Sequence, residues 1–194
     1  VVVGPLPPPI GGYTTYTTVL TTQLLHERFG VHSVNTSRPL AGRHRPGLVE
    51  MARYGGRDIG VMLQASRIAS VRLSHHLVDY TPQRITMIAA QFAIAGRRNW
   101  RRILDFRAGT FQDFAENAAA PLQAILGRMI RHADVVTCEG RPDIAYVTRR
   151  WGVTPRYMPS FVPWAETGGA HAADPGSTEG PLRLIYAGRV NRDK

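Results

Sequence analysis

Glycine and arginine are the residues of this chain that are placed to do chemistry. Gly11 and Gly12 stand side by side at the head of a helical stretch, behind the apolar start and prolines of "VVVGPLPPPIGG". Arg107, Gly109 and Thr110 close an apolar run in "ILDFRAGTF". Arg189 and Lys194 follow another apolar run in "LRLIYAGRVNRDK". Free backbone amides at a helix start, with the helix dipole behind them, favour an anion by about 0.3–1 kcal/mol. A planar guanidinium suits the oxygens of a phosphate or diphosphate. The chemistry indicated is the holding of a phosphorylated ligand.

Each feature also has a plainer explanation. The glycine pair equally marks a tight turn that uses glycine's dihedral freedom. Arg107 taken alone is better explained by an ion pair to Asp105 or Asp113, and Arg189 with Lys194 by a solvated basic segment. Gly4, Gly11 and Gly12 lack the spacing of the dinucleotide fingerprint, and no Gly-Lys-Ser/Thr follows to make a P-loop. No His, Cys, Asp or Glu cluster has metal spacing, so no metal and no other cofactor is expected. His75 and His76 are neighbours in a strand and face opposite ways, so they cannot share one ligand. Asp134 precedes a strand and reads as a structural cap. "GRRNWRR" sets four arginines around Trp100, either as a face for lipid or nucleic acid or as a solvated helix end.

The elements that must position these residues alternate. Apolar strands are expected at 1–4, 31–37, 75–81, 101–107, 134–140 and 156–162. Helical periodicity fills 13–29, 48–72, 82–95, 110–133 (with a break at Pro121) and 141–152. The first helix carries six threonines and needs packing to hold it. Strand–helix alternation of this kind builds a parallel sheet with helices on both faces, a Rossmann-like α/β fold. Ligands of such sheets bind beyond the carboxyl ends of the strands. That rim collects the Gly11–Gly12 loop, "NTS", "RAGT" and "CEG".

The chain has 194 residues, 43% of them hydrophobic, enough for one domain with a core. Residues 1–162 form that domain. The stretch 163–180, rich in Gly, Ala, Pro and Ser, reads as a linker, and 181–194 as the first strand of a second domain. Both ends read as cut. The lone Cys138 excludes an internal disulfide and fits a reducing, cytoplasmic compartment. No apolar run is long enough to span a bilayer. The net charge is +10, and Lys194 is the only lysine.

Taken together, "VVVGPLPPPIGGYTTYTTVLTTQL", "ILDFRAGTFQDF", "ADVVTCEGRPDIAYV", "YMPSFV" and "LIYAGRVNRDK" resemble, in order and spacing, glycosyltransferase family 4, the retaining enzymes of the GT-B fold. The resemblance spans nearly the whole chain and is weakest from Pro39 to Ile103. It implies the N-terminal half of a GT-B fold, the acceptor-side domain, followed by the first strand of a truncated donor domain. It implies a nucleotide sugar as donor, a glycan or lipid-linked acceptor, and cell-surface glycan synthesis in the cytoplasm or on the inner face of the membrane. By position, Gly11, Gly12, Arg189 and Lys194 would hold the donor diphosphate and sugar. Arg107, Gly109 and Thr110 would line the acceptor side. The catalytic residues are not assigned. Ser160 stands after Pro159 where the family has asparagine. The family's paired glutamates belong to the second domain, so the segment alone should not transfer sugar efficiently.

Two other classes fit the same sequence. One is a non-catalytic basic module for nucleic acid or anionic membrane, suggested by the +10 charge but without a helix-turn-helix, RNA-recognition or zinc signature. The other is a nucleotide-sugar epimerase of the same fold. The sugar transferase is the leading expectation, with contact to anionic membrane compatible and nucleic acid not expected.

Overall fold

Strand pairing in this protein runs in one direction only. The computed structural model describes residues 1–7, 12–25, 28–37, 48–68, 70–78, 80–107 and 111–160. Six strands form one all-parallel sheet: β1 (Val2–Gly4), β2 (Ser33–Asn35), β3 (Leu73–Val78), β4 (Arg101–Phe106), β5 (Val135–Cys138) and β6 (Arg156–Tyr157). Their order across the sheet is β2-β1-β3-β4-β5-β6. Parallel neighbours need crossovers, and helices supply them: α1 (Gly12–Val19), α2 (Leu48–Ala65), α3 (Pro82–Arg97), α4 (Phe111–Asn117), α5 (Ala120–His132) and α6 (Arg141–Trp151). The fold is the Rossmann-like α/β class expected from the alternation. No helix among the described residues is long and apolar enough to cross a membrane.

The two faces of the sheet are covered unequally. On one face Val78, Leu104, Phe106, Val136 and Cys138 meet Ile85, Ile88 and Phe92 of α3, Leu126 and Ile130 of α5, and Val147 of α6. Phe106 and Phe111 touch with ring centroids 4.2 Å apart at the centre of this core. A second cluster on that face joins Val3 and Val34 to Met62 of α2 and to Trp100. The other face carries α1, whose Tyr16 and Leu20 lie on Val2 and Leu77.

The threonine-rich helix solves its propensity problem locally. Thr17, Thr18, Thr21 and Thr22 donate their hydroxyls to the carbonyls four residues back. Such back-bonding competes with the backbone ladder and bends helices. Here α1 passes at Leu20–Leu24 into a π-helical turn.

Several boundaries differ from the sequence expectation, each for a local reason. The third strand begins at Leu73 and ends at Val78 rather than spanning 75–81. Thr81 is instead the N-cap of α3, its hydroxyl accepting from the Arg84 amide, with Pro82 in the first turn. The break expected at Pro121 within 110–133 is present but falls just ahead of it, between Asn117 and Ala120, and Pro121 sits in the first turn of the second helix. A proline tolerates that position because its missing N–H would be unsatisfied there anyway. Gly152 closes α6 in the left-handed conformation at φ 70°, its amide bonded to the Thr148 carbonyl. The last strand is two residues long, not seven. The linker and second-domain strand expected at 163–194 lie outside the described residues.

His75 and His76 do face opposite ways. His76 is fully buried against Phe92, ring centroids 5.6 Å apart, and neither ring nitrogen has a hydrogen-bond partner. Burial, aided by the positive charges of its surroundings, pushes its pKa down to about 3 from 6.5. The folded state therefore binds fewer protons than the unfolded state between those values, and stability falls as pH drops below about 6.5. His76→Leu should be at least as stable as the parent at neutral pH, because it removes two unpaired polar atoms. It should also lose the parent's decline, up to about 1.4 kcal/mol per pH unit, between pH 6.5 and the acid limb. Urea denaturation across that range reads both effects; an unchanged slope would clear His76 of the role.

Candidate functional site

The carboxyl ends of the strands form the rim where a ligand site is expected. Successive crossovers leave β1 on opposite sides, towards β2 and past it to β3, so the switch point lies between β1 and β3. α1 starts at that point. Gly4 lets it sit close, since a Cβ there would lie 3.0 Å from both Leu77 Cδ1 and Thr17 Oγ1. The Tyr13 hydroxyl donates to the Val78 carbonyl at the end of β3, at 3.2 Å. Asn35 fastens the other side. Its Oδ1 accepts from the amides of Leu6 (3.0 Å) and Ser37 (2.8 Å), and the Ser37 hydroxyl donates to the Leu6 carbonyl.

Gly12 is the first residue of α1 and is exposed. A Cβ at this position would meet nothing within 4 Å. Among the described residues the positive-φ glycine is Gly152, so Gly12 is not kept for a left-handed backbone. Neither packing nor dihedral freedom asks for glycine there.

One turn into the helix, Tyr16 joins α1 to a buried polar network centred on Asp105. Asp105 is fully buried near the end of β4. Its Oδ1 accepts from Arg107 Nε (3.0 Å) and Thr137 Oγ1 (2.7 Å). Its Oδ2 accepts from His75 Nε2 (3.0 Å) and the Tyr16 hydroxyl (3.3 Å). An ionised carboxylate only accepts, so the His75 proton in this bond is on Nε2. Arg107 Nη2 donates in turn to the Tyr16 oxygen, and the guanidinium carbon lies 3.7 Å from the Tyr16 ring centroid. Burial alone would raise the Asp105 pKa; the His75 hydrogen bond, with the charges of His75 and Arg107 and the Thr137 hydroxyl, outweighs it and holds the carboxyl below 3.8. Burial and the Asp105 charge push the Tyr16 phenol up, which keeps it a neutral donor.

Arg107 is therefore 5% exposed and ion-paired to Asp105, one of the two partners the sequence suggested for it. Its Nη1 is buried without a hydrogen-bond partner. Gly12 and Arg107 come into one neighbourhood through Tyr16. Gly11, Gly109, Thr110, Arg189 and Lys194 lie outside the described residues. Asp134 is structural: it accepts from Arg101 Nη1 (2.8 Å) and the Arg102 amide (2.9 Å), pinning the start of β4. On the rim beyond β5, the Ser160 hydroxyl donates to Glu139, and Asp143 in the first turn of α6 accepts the Gln112 amide of α4. Cys138 is buried, and burial pushes its thiol up to about 12, so it is an inert core residue. No group of side chains among the described residues could hold a metal ion.

Sequence reasoning set Asn35 on the rim within "NTS" but passed over Tyr16, Asp105 and Thr137 as site residues. A signal was present. Asp105 and Thr137 are polar residues inside otherwise apolar strands, "ILDF" and "VVTC", and a polar side chain there must find a partner.

The strand order and crossovers define a Rossmann-like α/β protein whose topological switch point lies between the carboxyl ends of β1 and β3, where α1 begins. No protein-family model and no curated protein matches the chain.

Asp105→Ala should lower stability by about 3–5 kcal/mol, because it leaves Arg107 buried without its counter-charge. The depressed carboxyl gives a second readout. Its contribution is complete above 3.8 and is lost as pH falls through the lowered value. Asp105→Asn should lack that acid limb in a series of urea melts, and equal limbs in parent and variant would refute the assignment.

Proposed function

We propose that this chain carries the acceptor-side domain of a retaining glycosyltransferase that moves a sugar from a nucleoside diphosphate to an acceptor hydroxyl. The observation that carries the reading is Gly12. It heads α1 at the switch point, its missing side chain faces open space, and its backbone needs no glycine. A ligand approaching the main chain explains it where packing does not. The Tyr16–Asp105–Arg107 network then serves to fix the helix head against the end of β4.

In this reading the amides at Gly11 and Gly12 face the transferred sugar or its diphosphate. Arg189 and Lys194 grip the diphosphate from the second domain and stabilise the charge that grows on it as the glycosidic bond breaks. The segment around Arg107, Gly109 and Thr110 borders the acceptor. The acceptor is a glycan or a lipid-linked saccharide. The two cations supply the charge stabilisation for which other enzymes use a metal.

The test uses the full-length protein. It should bind a nucleoside-diphosphate sugar and release the diphosphate when an acceptor is supplied, with anomeric configuration retained by NMR. Gly12→Leu should leave the thermal midpoint nearly unchanged, since its Cβ meets nothing, yet abolish turnover. Arg189→Ala should weaken donor binding roughly tenfold to a hundredfold, the weight of a charge-assisted bond. Conversion of the donor without acceptor would identify an epimerase instead. Failure to bind any nucleoside-diphosphate sugar would overturn the proposal.

A further inference from the structure

Among the described residues the two edges of the sheet differ in charge, because at the carboxyl rim Arg84, Arg107 and Arg141 stand among carboxylates. Helices α2, α4 and α6 begin at the carboxyl rim with Glu50, Asp113 and Asp143 in their first turns, and Glu139 follows β5 there. The opposite edge, where the strands begin, is arginine-rich. Arg97 and Arg131 occupy last turns of α3 and α5, where the helix dipole accounts for them. Others stand just beyond the helix ends or in the turns, Arg98 as the C-cap of α3. Arg67 follows α2, Arg72 and Arg98 precede β3 and β4, and Arg28 lies beyond the π-helical turn; all are exposed. Among the described residues in the turns leading into β3, β4 and β5, the one carboxylate is Asp134, already bonded to Arg101 and the Arg102 amide.

The same edge exposes apolar side chains. Phe29 is 63% exposed, Leu73 39% and Ile68 36%. Phe29 and Leu73 border a cleft of about 660 Å³ whose walls include Leu25, Val31 and Ile103, with Arg72 and Arg101 at its mouth. Large apolar groups beside arginines are what an interfacial surface needs: side chains that enter the headgroup–acyl boundary and cations that meet lipid phosphates. Nucleic acid is the poorer fit. Trp100, the aromatic residue in the arginine run, is 5% exposed and packed with Val3 and Met62, so it offers no ring for base stacking.

We propose that the amino edge of the sheet, with Phe29 and Leu73 among Arg28, Arg67, Arg72 and Arg98, docks on an anionic phospholipid bilayer. This surface is separate from the switch point, and the inference does not rest on the reaction proposed above. It gives the protein a peripheral membrane contact with no spanning segment.

Sedimentation of the whole chain with vesicles of phosphatidylcholine, with and without phosphatidylglycerol, tests it. Partition should require the anionic lipid and weaken with added salt. Each exposed arginine removed should lower partition about fivefold, so Arg67→Gln/Arg72→Gln/Arg98→Gln should lower it roughly a hundredfold. Phe29→Asp should lower it roughly tenfold even where salt is low. Phe29→Trp should bind like the parent and shift its emission to the blue on vesicle contact, which reports insertion without relying on a loss. No sedimentation with phosphatidylglycerol vesicles overturns the proposal. So does partition that ignores the arginine and Phe29 substitutions, or tighter binding to a duplex oligonucleotide than to the vesicles.

Discussion

A buried carboxylate must be answered on every side, and in this protein that requirement organises the end of the sheet on which α1 lies. Asp105 sits at the end of a central strand with no water to solvate it. Removing an ion from water is expensive, so the fold meets it with an arginine, a histidine, a threonine hydroxyl and a tyrosine hydroxyl. Those donors come from β3, from the segment after β4, from β5 and from α1. Satisfying one side chain therefore fixes the relative positions of three strands and the helix that covers them. The Tyr16 ring also stacks on the Arg107 guanidinium, which limits the freedom of both.

The network explains why the two faces of the sheet are built differently. The face under α2, α3 and α5 is held by aliphatic and aromatic packing, and of its buried polar side chains in β3, Ser74 and His76, the histidine stays neutral. The face under α1 has less apolar cover, with Tyr16, Leu20, Val2 and Leu77 as its buried cluster. Polar bonds of defined direction replace part of the packing there. That is a reasonable construction beside a rim that has to keep a helix head in one place, because directional bonds specify a geometry more narrowly than contact does.

Much of the fold was legible in the sequence because its signals are local. Alternating apolar runs and helical periods pointed to the parallel sheet, and the helix expected to start at Pro82 starts there. The errors were local too. Thr81 was read as the end of a strand, yet its hydroxyl caps α3. The site was less legible because its contacts are not local. Tyr16 and Asp105 are 89 residues apart, Asp105 and Thr137 32, and His75 and Asp105 30. Periodicity says that each will be buried; only the strand order says that they meet. The sequence shows a total charge of +10, while the gathering of arginines at one edge among the described residues depends on which ends of the helices lie together.

The length of the central strands has a further meaning. β3 and β4 are each six residues long, so their two ends stand roughly 20 Å apart. The arginine-rich edge and the glycine at the head of α1 are at opposite ends of that span. With the first on a surface, the second would stand the height of the sheet away from it, and a ligand tethered to that surface would need a leash long enough to climb that height.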